Sequence, residues 1–172
     1  MFRALLLAIP LLAIGAAAPA RAEQACATPA HHAFDFWIGR WDVFDTHSGD
    51  IAGHSLIERL YQGCAIRENW SEDGFSGGSL NHYSAKDGEW RQVWTDSSGA
   101  WREFVGGVVD GSMVLIWRQP EPKAVGGAIQ VRMSFTPSRD GSVRQYSDTS
   151  ADGGHTWKPR YDYTYRRARE GL

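Results

Sequence analysis

The sequence predicts an all-β fold, a single antiparallel up-and-down β-barrel of about ten strands, and three observations carry that prediction. Aromatic residues are abundant and skewed to tryptophan, with eight Trp beside seven Phe and six Tyr, and 19 Gly accompany them. Strands favour aromatic side chains and hairpin turns favour glycine. No long stretch places apolar residues at i, i+3, i+4 and i+7, the spacing of an amphipathic helix. Clusters of turn-forming residues recur instead about every dozen positions, the rhythm of successive hairpins.

The first element lies outside that rhythm. Met1-Phe2-Arg3 is a short positive start, residues 4–18 are apolar, and Ala20-Arg21-Ala22 is an A-x-A cleavage site. This is the layout of a secretory signal peptide over residues 1–22. Pro10 and Gly15 interrupt the apolar run, which is shorter than the roughly 20 residues a helix needs to span a bilayer. No membrane span is expected after cleavage. Removing the segment takes away Arg3 and Arg21 but no acid, so the formal charge falls from -2 for 172 residues to -4 for the remaining 150. An acidic balance excludes nucleic acid as a partner, because meeting a phosphate backbone requires a concentrated basic surface. Export to the periplasm or beyond also gives the two cysteines their meaning. In an oxidising compartment an even count predicts a Cys26–Cys64 disulfide.

Strands are predicted over 40–46, 52–61, 64–71, 77–84, 89–96, 100–108, 112–117, 128–136, 142–149 and 159–167. Ser48-Gly49-Asp50, Lys86-Asp87-Gly88, Ser97-Ser98-Gly99, Asp110-Gly111, Arg139-Asp140-Gly141 and Asp152-Gly153-Gly154 punctuate them. These residues tolerate the positive φ of tight hairpins. Residues 118–127, with Pro120 and Pro122, form the longest irregular connection and are too short for a domain, so 23–172 reads as one domain. Ten such strands without a covering helix leave a sandwich or a barrel, and closure into a barrel removes the exposed edges.

Gly39-x-Trp41, opening the first strand, resembles the G-x-W signature of lipocalins and other calycins. The resemblance implies that Trp41 closes the barrel floor and that an arginine of the last strand packs on it, a place held by Arg166 or its neighbour Arg167. The wider pattern joins Phe34-Asp35-Phe36-Trp37-x-Gly39-x-Trp41-Asp42-Val43, Gly63-Cys64-x-Ile66-x-Glu68-Asn69-Trp70, Trp90-Arg91-Gln92-x-Trp94-x-Asp96 and Ser150-x-Asp152-Gly153-Gly154-x-Thr156-Trp157. It resembles an exported bacterial domain-of-unknown-function family over nearly the whole mature chain. That family implies a calycin-like barrel and an exported location, with no reaction attached. Ten strands are closer to the fatty-acid-binding-protein and nitrobindin arrangement than to the eight of a lipocalin. The run from Ser150 to Trp157 also resembles the Asp-box of sialidases, where it repeats blade by blade. One copy in so short a chain reads as a structural turn held by Asp152 and Trp157.

Strand parity then nominates a site, because successive side chains point to opposite faces. Trp90, Gln92, Trp94 and Asp96 share one face, as do Cys64, Ile66, Glu68 and Trp70, and as do Ser79, Asn81 and Tyr83. If these faces point inward, Glu68, Trp70, Asn81, Tyr83, Gln92, Trp94 and Asp96 line a lumen of large apolar walls with a few polar groups. Small-molecule sites are built that way, and the expected partner is a hydrophobic or amphipathic small molecule. An alternative use of the same lumen is catalysis of an isomerase, cyclase or hydratase type, with Glu68 and Asp96 as acid and base. No spacing demands it, and no G-x-S-x-G elbow is present. The six histidines show no metal-site spacing and no cofactor is expected. Haem, which nitrobindin-like barrels bind through one histidine, is a lesser alternative resting on His54, which shares its face with Leu56 and Leu60.

Overall fold

The computed structural model describes residues 25–169, so the expected signal segment 1–22 lies outside the described residues. Ten strands follow in chain order: β1 (Gly39–Asp45), β2 (Ile51–Leu60), β3 (Ala65–Glu72), β4 (Phe75–Ser84), β5 (Glu89–Asp96), β6 (Trp101–Val109), β7 (Ser112–Pro120), β8 (Ala128–Pro137), β9 (Val143–Ser150) and β10 (Lys158–Arg167). Each pairs antiparallel with the next, and β10 returns to β1, closing the barrel. The predicted fold is therefore present strand for strand. The largest shift is at β7, where Arg118 and Gln119 still pair with Gln130 and Ile129 before Pro120 ends the strand, a position proline tolerates.

Antiparallel order puts the β1–β2, β3–β4, β5–β6, β7–β8 and β9–β10 connections at one end, and the other four at the opposite end. The second end is plugged. Two short 3-10 turns, Pro29–His32 and Asp35–Trp37, precede β1, and the side chains of Phe34 and Trp37 are fully buried there. Phe34 stacks on Trp37 at 4.8 Å between ring centres and meets Trp90 and Phe135 edge-on. The indole of Trp41 donates to the carbonyl of Trp37 at 2.7 Å, and that of Trp90 donates to the carbonyl of Ala30 at 3.1 Å. The predicted disulfide joins Cys26, at the start of the plug, to Cys64 in the β2–β3 connection, with a Cα–Cα distance of 5.0 Å.

Arg167, rather than Arg166, occupies the place on Trp41. Its guanidinium lies 3.9 Å from the indole centre and donates to the carbonyl of Ile38 at 2.6 Å. Register explains the choice, since Trp41 pairs directly with Arg167 and paired residues share a face. Arg166 falls on the other face, over Phe44. Gly39 makes room for the stack. It holds φ +140°, and a Cβ there would meet the guanidinium of Arg167.

Candidate functional site

Above the plug the lumen is not filled. A cavity of about 330 Å³ opens toward the β1–β2 end, at the lower limit of the roughly 300–1,000 Å³ typical of small-molecule sites. Two tryptophans face it without blocking it, because each lies flat against a glycine of the neighbouring strand. A Cβ on Gly53 would stand 2.5 Å from the ring of Trp70, and one on Gly77 would stand 2.5 Å from the ring of Trp94. The glycines let these indoles fold onto the wall. Tyr163 continues that wall, parallel to Trp70 at 6.3 Å and to Tyr161 at 4.8 Å. Phe75, Phe104, Val131 and Met133 complete the apolar lining.

The floor is polar and ordered. Glu68, 5% exposed, accepts from the hydroxyls of Ser55 at 3.2 Å and Ser79 at 3.0 Å. Behind Ser79 runs a chain of donors in one direction. Gln92 donates to Oδ1 of Asn81 at 2.7 Å, and Nδ2 of Asn81 donates to Oγ of Ser79 at 3.0 Å and to the carbonyl of Ile66 at 3.1 Å. The Ser79 proton is thereby committed to Glu68. Desolvation by burial pushes the Glu68 carboxyl up to about 7, against the pull of its two serine donors. Across the floor Tyr165 donates to Oε1 of Gln145 at 2.8 Å, and burial pushes the Tyr161 phenol up to about 12 and that of Tyr165 well above its usual value.

Of the seven residues predicted to line the lumen, Glu68, Trp70, Gln92, Trp94 and Asp96 do so. Asn81 and Tyr83 face inward but sit too low. Asn81 is fully buried beneath the floor as the link between Gln92 and Ser79, and Tyr83 packs on His31 and Trp90 at the plugged end. Asp96 stands at the rim with its acceptor sites occupied. Oδ1 takes the backbone N–H and hydroxyl of Ser98, and Oδ2 takes the indole of Trp94 and the guanidinium of Arg102. These bonds, those of Ser98 and Trp94 first, hold it far below the usual carboxylate range. A carboxylate so engaged is a weak base and stays ionised in its ion pair with Arg102.

Sequence parity passed over much of the lining, including Gln145 and Ser147 of β9, and Tyr161, Tyr163 and Tyr165 of β10. The alternating tyrosines are a readable period-2 signal, but a bulge between Pro159 and Tyr161 shifts the register just before them. His54 points outward, 2.9 Å from Asp42 and largely exposed, so the haem reading loses its ligand. The parity of β2 accounts for this, since Gly53, Ser55 and Ile57 are the buried positions. Among the described residues no three His, Cys, Asp or Glu side chains group as metal ligands.

The Ser150–Trp157 run forms a hairpin turn at the open end. Asp152 accepts from Ser150 Oγ and from the N–H and Oγ1 of Thr156, the Trp157 indole donates to the Gly154 carbonyl, and Arg132 stacks on Trp157 at 3.9 Å. Neither the comparison with family models nor that with curated proteins returns a match.

Proposed function

We propose that this chain is an exported binding barrel that holds a small, partly apolar molecule in its lumen. The observation that carries the reading is an open, aromatic-walled cavity whose floor is a hydrogen-bonded polar cluster. A barrel core built only for stability fills its centre with interlocking side chains. Here the paired glycines hold two indoles off the axis, and the volume they release lies over Glu68, Gln92 and Gln145. The disulfide agrees with a periplasmic or secreted location. The motif resemblance to exported calycin-like proteins points the same way.

The test is titration with N-phenyl-1-naphthylamine, a neutral aromatic dye whose fluorescence rises in apolar surroundings. Saturable enhancement at one site per chain is expected in the mature protein. It is lost in Ser147→Trp and in Val131→Phe, both of which push bulk into the cavity. Circular dichroism identifies whichever variant retains the barrel. No enhancement in the parent, or unchanged enhancement in a folded filled variant, refutes lumenal binding.

A further inference from the structure

We propose that the ligand class selected by this cavity is an organic cation, an amine whose ammonium group seats on Glu68 and whose apolar body lies against Trp70, Trp94 and Tyr163. The inference rests on the lumen being the binding site, and it deepens that reading by naming the chemistry recognised.

Glu68 is the residue that decides it. A carboxylate buried in an apolar barrel is ordinarily paired with a cation, yet among the described residues no Lys, Arg or His forms an ion pair with Glu68. Its only partners are the hydroxyls of Ser55 and Ser79. The charged groups at the mouth are otherwise placed, with Arg102 bonded to Asp96 and Glu72 and Arg160 at the rim. The donor chain from Gln92 through Asn81 and Ser79 runs toward Glu68, so the protein side presents hydrogens to the carboxylate and supports it as an acceptor. A carboxylate has about four lone-pair sites, and two are used. The rest are available on the cavity side, where they select a ligand rich in N–H donors.

The walls favour the same charge. Aromatic faces carry negative quadrupole density and attract cations, more strongly when water is excluded. Trp70, Trp94 and Tyr163 offer three such faces above one buried acid. An anionic ligand would meet repulsion from the ionised floor, and a neutral one would leave the ionised Glu68 without a cation. Groups facing Glu68 from the neighbouring elements are Ser55 on β2, Ser79 on β4, Gln92 on β5, Gln145 on β9, and Tyr161 and Tyr165 on β10, with Glu72, Arg160 and the Asp96–Arg102 pair nearer the mouth. The two buried phenols titrate far above neutrality and Asp96 far below it. Ionisation of Glu68 near pH 7 therefore sets the pH dependence of cation binding.

The experiment is calorimetric titration of tryptamine and of its neutral alcohol counterpart tryptophol, with wild type and Glu68→Gln. Tryptamine stays protonated at both about pH 8 and about pH 5.5, so only the protein changes charge. The expected result is that wild type at the higher pH binds tryptamine about tenfold or more tightly than tryptophol, the ratio a charge-assisted hydrogen bond supplies. The advantage shrinks severalfold at the lower pH and in Glu68→Gln, while tryptophol affinity is nearly constant. Tryptophol binding as tightly as tryptamine, or an advantage that survives Glu68→Gln, overturns cation selection and leaves the lumenal site standing. So does failure of both compounds when N-phenyl-1-naphthylamine still enters the cavity. Failure of the dye as well overturns both readings.

Discussion

Glu68 is costly to bury, and its effect on stability has a definite sign. Unfolded, the carboxyl releases its proton near 4.5, whereas in the folded barrel it holds it until about 7. Between these values the folded state binds more protons, so the contribution of Glu68 is greatest below 4.5, falls as pH rises through the window, and is level above 7. Glu68→Gln removes that slope. Relative to wild type the variant should gain on the order of 2–3 kcal/mol between about pH 4 and pH 8, read from urea unfolding at the two values. Parallel pH profiles for the two proteins would show that Glu68 does not titrate as its burial requires. At the opposite end of the barrel, Arg167→Ala should cost about 1–2 kcal/mol through loss of the Trp41 stack and the Ile38 hydrogen bond. Arg166→Ala, made on the outer face, should stay within about 0.5 kcal/mol. Equal losses for the two would reverse that assignment. Adjacent identical side chains are indistinguishable in a sequence; the register of β1 on β10 separates them.

At the scale of elements, strands and hairpins were legible because period-2 burial and turn chemistry are local signals. All ten strands stand where turn residues delimit them. The plug was not legible, since two 3-10 turns of four and three residues are too short to display any period. That omission explains why Asn81 and Tyr83 were expected in the cavity. Parity tells which face a side chain takes but not its height along the barrel, and height is set by how far Phe34 and Trp37 reach inside. The placing of each lumenal indole against a glycine of the neighbouring strand is likewise a register effect. Gly53→Ala and Gly77→Ala should each destabilise by about 1–3 kcal/mol, the usual penalty for overpacking, because the added methyl meets both an indole and a backbone oxygen under 3 Å away. Thermal unfolding measures this, and a neutral outcome at both sites would mean the indoles move aside freely. Reduction of Cys26–Cys64, which spans 38 residues, should lower stability by about 4 kcal/mol in the chain-entropy picture. Denaturant titration with and without reductant gives the difference.

For the molecule as a whole, the up-and-down order divides labour between two ends. The end holding the N-terminal plug, the disulfide and the Arg167–Trp41 stack is closed and apolar, and the end with five hairpin connections is open over the cavity. The surplus of tryptophan follows this division. Trp37, Trp41 and Trp90 belong to the closed end, Trp70 and Trp94 to the cavity wall, and Trp101 to the outer surface at 67% exposure. Five lining residues were legible from the faces of β3 and β5, while the β10 tyrosines follow a register shift between Pro159 and Tyr161 that the sequence does not display. That division makes the indole N–H signals a map of where a ligand sits. The most direct measurement is a two-dimensional nitrogen–proton NMR titration of the assigned indoles with N-phenyl-1-naphthylamine. Lumenal binding moves the Trp70 and Trp94 signals to saturation and leaves those of Trp41, Trp90 and Trp101 in place. Unmoved Trp70 and Trp94 signals, or a shift confined to Trp101, would contradict a binding lumen.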